Sequence, residues 1–144
     1  MTSCYLDTSF LIKLYVFEDH SAQAAGLLYQ GGFTAVTSSL TAVEVVSTIR
    51  RKVQDKSLTL AAAAQGIAAF RADEAGILFE RKVVDEAVFA LAEKLVDLHG
   101  DFIRLRSLDL LHVATALHYG ADGFATYDQQ LKILAERVGL KLLC

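Results

Sequence analysis

Short apolar runs alternate along the chain with longer stretches in which apolar residues recur at helical spacing. Ser3 to Leu6 predicts a strand, and Leu11, Ile12, Leu14 and Tyr15 supply the apolar face of a helix over Ser9 to Phe17. A second helix is expected from Ser21 to Tyr29, closed by Gly31-Gly32, and a strand from Phe33 to Thr37. Ser38-Ser39 offers a cap for a helix running through Lys52, with Val46 and Ile49 in its apolar stripe. An Ala-rich helix over Thr59 to Ala72 and a short strand over Ile77 to Phe79 follow. Asp85 to Leu98 and Ser107 to Tyr119 read as helices ended by Gly100 and Gly120. Strands at Phe124 to Thr126 and Leu140 to Leu143 then flank a helix over Gln129 to Val138. Strands and helices in this alternation predict an α/β fold of three layers, a central parallel sheet with helices on both faces.

That architecture tells where to look for chemistry, because working groups in parallel sheets collect beyond the carboxyl ends of the strands. Asp7 directly follows the first strand and Asp128 follows the Phe124 to Thr126 strand, so parallel strands bring both acids to one edge. Each also has an ordinary structural use as a helix cap. Asp109 lies in the first turn of its helix, where the macrodipole favours an acid. Glu44 falls on the side of its helix shared with Thr48 and Arg51, at the boundary of the apolar stripe. His112 follows Asp109 by one turn on the same face, a position suited to hydrogen bonding or packing. The hydroxyls of Thr8, Ser9 and Thr126 read as caps or strand-end groups. Basic residues gather at Arg50-Arg51-Lys52 and at Arg104 and Arg106, with Lys13 on the first helix.

Composition narrows the function classes. The chain has 144 residues, the length of one domain, here expected to span 1–144, and 53% of them are hydrophobic, enough for a buried core without staples. No apolar run approaches the ~20 residues that span a bilayer, and Asp7 interrupts the first apolar residues, so neither membrane nor secretion is expected. Cys4 and Cys144 lie at opposite ends, with no spacing suited to zinc or to a disulfide framework, so the expected compartment is the cytoplasm. The net charge of −3 argues against coating nucleic acid by bulk positive charge. It leaves room for an enzyme that meets nucleic acid through bound cations.

Four segments carry a resemblance, in order. They are Leu6-Asp7-Thr8-Ser9; Ser39-Leu40 with Glu44 on the next helix; Leu105-Arg106-Ser107-Leu108-Asp109-Leu110-Leu111-His112-Val113-Ala114; and Phe124-Ala125-Thr126-Tyr127-Asp128. Together they resemble PIN domains, most closely the VapC-type ribonuclease toxins of toxin–antitoxin pairs, while Val53 to Val83 holds nothing distinctive. The resemblance implies a metal-dependent endoribonuclease that hydrolyses RNA phosphodiester bonds. It implies an acidic site of Asp7, Glu44, Asp109 and Asp128; within it Asp7 and Asp109 are expected as the primary ligands of Mg²⁺ or Mn²⁺, Asp128 as supporting the metal or a bound water, and Glu44 as orienting that water or acting as general base. It further implies an RNA substrate, a cognate antitoxin and a homodimer. Four carboxylates suit such chemistry, because divalent cations take hard oxygen ligands and can clamp the attacking and leaving oxygens of an in-line displacement. Two alternatives share these residues. A phosphohydrolase of the haloacid-dehalogenase type would use a strand-end aspartate, but it usually wants a second Asp two positions on, where this chain has Ser9. An inactive PIN-like module would act through protein contacts alone.

Overall fold

The first strand, β1 (Ser3–Leu6), sends its side chains alternately to two cores, as the period of two in an extended chain requires. Cys4 and Leu6 face one, and Tyr5 faces the other. In the computed structural model, which describes residues 1–144, β1 is the middle of a five-stranded, wholly parallel sheet.

Helices α1 (Thr8–Tyr15) and α2 (Ser21–Gln30) lead to β2 (Thr34–Ser38), and α3 (Ser39–Gln54) and α4 (Leu60–Ala75) lead to β3 (Phe79–Lys82). The chain then runs through α5 (Glu86–His99) and α6 (Ser107–His118) to β4 (Gly123–Ala125), and through α7 (Gln129–Arg137) to β5 (Lys141–Leu142). Helices α1 to α4 pack on the face of Cys4, Leu6, Ala35 and Ala125, with Phe10, Leu11, Val45, Ile49, Ile67 and Phe70 at the centre. Helices α5 to α7 cover the opposite face around Tyr5, Val36 and Phe124, with Val88, Leu95, Val113 and Leu134. The three layers are those the alternation predicts. No helix is long and apolar enough to cross a membrane.

The strand order β3-β2-β1-β4-β5 places the reversal of winding between β1 and β4. There the loops leaving two adjacent strands diverge to opposite faces and open a crevice, the usual position of a ligand in such sheets. The Asp7 amide bonds the Ala125 carbonyl at 3.1 Å, extending the β1–β4 ladder to the lip of that crevice. At the opposite end, Asp122 accepts the amides of Thr2 and Ser3, each at 2.9 Å, and fastens the start of β1 beside β4.

Two sequence expectations are corrected. The third strand begins at Phe79 and not at Ile77, because Ile77 projects fully into solvent and Phe79 is the residue that reaches the core. Glu80, Arg81 and Lys82, which look like loop, form an edge strand against β2, where charged side chains are tolerated and discourage pairing with a second sheet. In α3 the buried stripe is Thr41, Val45 and Ile49, with Val46 only partly covered. That rotation leaves Glu44, Thr48 and Arg51 together along the crevice.

Candidate active site

Asp7 sits at the end of β1 and is 2% exposed. It caps α1 by accepting the Phe10 amide at 3.1 Å on Oδ1, where the Ser9 hydroxyl also donates at 2.8 Å. The Thr126 hydroxyl donates to Oδ2 at 2.8 Å. Removal from water pushes the Asp7 carboxyl above the ordinary aspartate range, an effect that these three donors only partly offset. Ser9 also accepts the Tyr127 amide at 2.9 Å, and Thr126 accepts the Asp128 amide at 3.0 Å. The hydroxyls expected as plain caps therefore tie the loop after β4 to the loop after β1, and they orient Asp7 between them.

Asp128 caps α7, its Oδ1 accepting the amides of Gln130 at 2.8 Å and Leu131 at 3.0 Å. Asp109, 7% exposed, lies in the first turn of α6 and accepts the Arg106 amide and the Arg106 Nε on Oδ2, each at 3.2 Å. The cap expected from each acid and its presence in the crevice are thus compatible, because a carboxylate has two oxygens and a cap uses one.

Glu44 reaches the crevice from α3. Its Oε1 meets His112 Nε2 and accepts the Thr8 hydroxyl at 2.9 Å. Burial pushes this carboxyl up, but the hydrogen bonds from His112 and Thr8 and the charge of Arg106 outweigh it and hold Glu44 below the usual glutamate range. Asp7 and Glu44 are therefore shifted in opposite directions within one site.

Asp7, Glu44, Asp109 and Asp128 line one cleft of about 410 Å³, together with Thr8, Ser9 and His112. Lys13, Arg51, Lys52 and Arg106 also border it, whereas Arg50 lines a groove elsewhere and Arg104 is exposed outside it. Lys13 and Lys52 both pair with Glu18, at 2.9 and 2.8 Å, so part of the basic rim is already neutralised. The donor set is all oxygen apart from one imidazole, which suits a hard divalent cation and not zinc. No three of these side chains stand close enough to form a ready cage, since Asp109 is turned to Arg106 and Asp128 to the α7 amides. Two unit charges of like sign about 4 Å apart repel by ~4 kcal/mol at an effective dielectric near 20, which favours this splayed arrangement.

Sequence reasoning underrates Tyr5, Ser38 and His112. Tyr5 reads as an apolar strand residue and Ser38 as a cap, yet their hydroxyls stand 2.8 Å apart behind the acids and the Tyr5 hydroxyl reaches His112 Nδ1 at 2.8 Å. The available signal was His112 itself, a polar residue on a helix buried from Asp109 to Ala116.

The PIN domain family model matches residues 4–137. Ribonuclease VapC46 of Mycobacterium tuberculosis is 29% identical over 147 residues, an alignment covering 99% of this chain and 98% of that one. Among solved structures, the sarcin–ricin-loop-cleaving toxin VapC20 of the same organism superposes with a TM-score of 0.72 at 18% identity, covering 90% of this chain and 93% of that one. A toxin–antitoxin complex from Klebsiella pneumoniae gives a TM-score of 0.63 at 17% identity, with 87% and 86% covered. A family match over nearly the whole length, a fold shared with these structures and a cleft at the β1–β4 reversal agree: the chain belongs to the PIN-domain family.

Proposed function

We propose that the chain is a Mg²⁺- or Mn²⁺-dependent endoribonuclease acting as the toxin of a toxin–antitoxin pair. The observation that carries this reading is the meeting of four carboxylates from four separate elements in one cleft at the switch point of a parallel sheet. The full-length likeness to a relative named as a ribonuclease supports the substrate class. Free thiols at Cys4 and Cys144 suit a reducing cytoplasm.

Asp7, Asp109 and Asp128 would hold the cation, each having an oxygen or lone pair not committed to its cap. When bound, the cation supplies charge neutralisation at the phosphoryl oxygens and lowers the pKa of a coordinated water. The protein does the rest. Ser9 and Thr126 keep Asp7 in one orientation. Glu44, ionised and held below its ordinary range, accepts a hydrogen bond from the attacking water through Oε2, the oxygen without a protein donor, and orients it. Arg51 and Arg106 at the rim attract the phosphate backbone without reading bases. A phosphoryl-aspartate route is less well served, because Ser9 stands two positions after Asp7, where that chemistry usually has a second Asp.

The partner would be an antitoxin whose amphipathic segment covers apolar surface. One groove of about 550 Å³ between α3 and α4, lined by Val53, Leu60, Ala63 and Ile67, is suited to it. The test of the reading is cleavage of total cellular RNA by the wild type and Asp7→Asn in Mg²⁺, Mn²⁺ and chelator. Metal-dependent cleavage by the wild type alone is expected, and equal cleavage by both proteins in chelator would falsify it.

A further inference from the structure

Behind Glu44 runs a buried line of hydrogen bonds that the proposed chemistry does not use. Ser38 Oγ lies 2.8 Å from the Tyr5 hydroxyl, that hydroxyl lies 2.8 Å from His112 Nδ1, and His112 Nε2 meets Glu44 Oε1. Ser38 and Tyr5 are fully buried and His112 is 2% exposed. Water cannot satisfy these groups, so their protons must be placed among themselves.

The placement has one self-consistent direction. Ser38 Oγ accepts the Thr41 amide at 3.4 Å, and the Tyr5 oxygen is its remaining neighbour, so the Ser38 proton goes to Tyr5. The Tyr5 proton then goes to His112 Nδ1, which must be a bare acceptor. The ring consequently carries its proton on Nε2 and donates it to Glu44. The opposite direction would leave the Ser38 hydroxyl proton buried with no acceptor. A second donor, the Thr8 hydroxyl, falls on the same Glu44 oxygen at 2.9 Å. Two donors on Oε1 pin the carboxylate against rotation and leave Oε2 to the cleft.

We infer that His112, fixed by Tyr5 and Ser38 as the Nε2–H tautomer, is a positioning residue that turns Glu44 so that one oxygen faces the protein and the other the reacting water. This deepens the proposed ribonuclease reading and rests on it for the role of Glu44, while the tautomer itself does not.

The test joins spectroscopy with kinetics. Nitrogen-15 spectra of histidine-labelled protein, with the His112 signals identified by their loss in His112→Gln, should show Nδ1 bare and Nε2 protonated at neutral pH. An imidazolium or an Nδ1–H ring overturns the inference. In RNA cleavage, His112→Leu should lower kcat about 10–100-fold with KM within about twofold, the range for outer partners that orient site groups. His112→Gln, whose amide can donate to Glu44 from the same place, should recover most of the loss. Equal loss in Leu and Gln variants that both melt cooperatively, or a loss confined to KM, overturns it. Tyr5→Phe, which fills the same core volume, gives the second route if the His112 variants do not fold: its kcat should fall while its melt stays cooperative, and an unchanged kcat counts against the lock. Should the wild type cleave no RNA, the ribonuclease reading fails, and the tautomer still stands or falls by the spectrum.

Discussion

Arg106 stands on Asp109 as an internal counter-ion, its Nε and its own backbone amide both 3.2 Å from the same carboxylate oxygen. The Arg106 side chain is 80% exposed, so the pair is a surface ion pair, worth about 0–1 kcal/mol. It satisfies one Asp109 oxygen, and on the proposed reading a divalent cation would compete with it. Arg106→Gln should therefore tighten Mn²⁺ binding, by up to about fivefold on that energy, and weaken RNA binding by removing a rim charge. Calorimetric titration of Mn²⁺ into the RNA-free protein checks the first part. Unchanged or weaker binding would mean that Arg106 does not compete for the site.

Asp7 links activity and stability with opposite signs. Cleavage should fall at least ~10²-fold in Asp7→Asn, the scale of losing a key electrostatic stabiliser. The fold should gain. Burial raises the Asp7 pKa above its unfolded value of about 3.9, so whatever stability the group contributes is present below that value and lost as pH rises through the folded pKa. At neutral pH the wild type carries this penalty and the Asn variant does not. Metal-free Asp7→Asn should thus be more stable by ~1–2 kcal/mol at pH 7, with the difference closing in acid. Thermal melts at the two pH values decide it, and a variant less stable than wild type at pH 7 would count against a strained buried carboxylate.

Glu44 should behave in the reverse way. Its folded pKa lies below the unfolded one, so its stabilisation is present at neutral pH and is lost as pH falls through the folded value. Glu44→Gln should melt below wild type at pH 7, and the two curves should converge in acid. Parallel shifts of Asp7→Asn and Glu44→Gln in the same direction would refute the opposed shifts described here.

These opposed environments explain which parts of the site were legible in the sequence. Asp7 and Asp128 were readable because their positions are topological: each follows a strand, and a parallel sheet must bring strand ends to one edge. Asp109 and Glu44 were nominated by resemblance, since periodicity makes one an ordinary first-turn acid and the other a boundary residue. The roles of Ser9 and Thr126 were hidden, because a hydroxyl at a strand end caps a turn or holds a carboxylate with the same local sequence. Their separation of 117 positions leaves no local trace of the 3.2 Å contact between them. Tyr5 was hidden for a related reason: alternation assigns it to the core, and only the register of β1 against α6 reveals that its hydroxyl reaches His112. The third strand was misplaced because an edge strand tolerates charge, so Phe79, expected as its last residue, is its first.

The partner surface offers the last prediction. Helices α3 and α4 leave a groove lined by Val53, Leu60, Ala63, Ala64, Ile67 and Ala68, with Arg50 and Arg71 at its margins. Leu60, 76% exposed, adds apolar surface to the rim of that groove. Small residues at Ala64 and Ala68 let another helix approach closely, and the flanking arginines favour one with acidic residues beside its apolar stripe. Ala64 and Ala68 are exposed, so Ala64→Arg should fold normally and leave RNA cleavage by the free protein unchanged. If an antitoxin segment docks there, the substitution should nevertheless weaken its binding at least tenfold, because a buried cation would then face both apolar surface and two like charges. In cells, that variant should slow growth even when the antitoxin is co-expressed, whereas the wild type should be neutralised. Full neutralisation of Ala64→Arg would place the antitoxin elsewhere on the molecule.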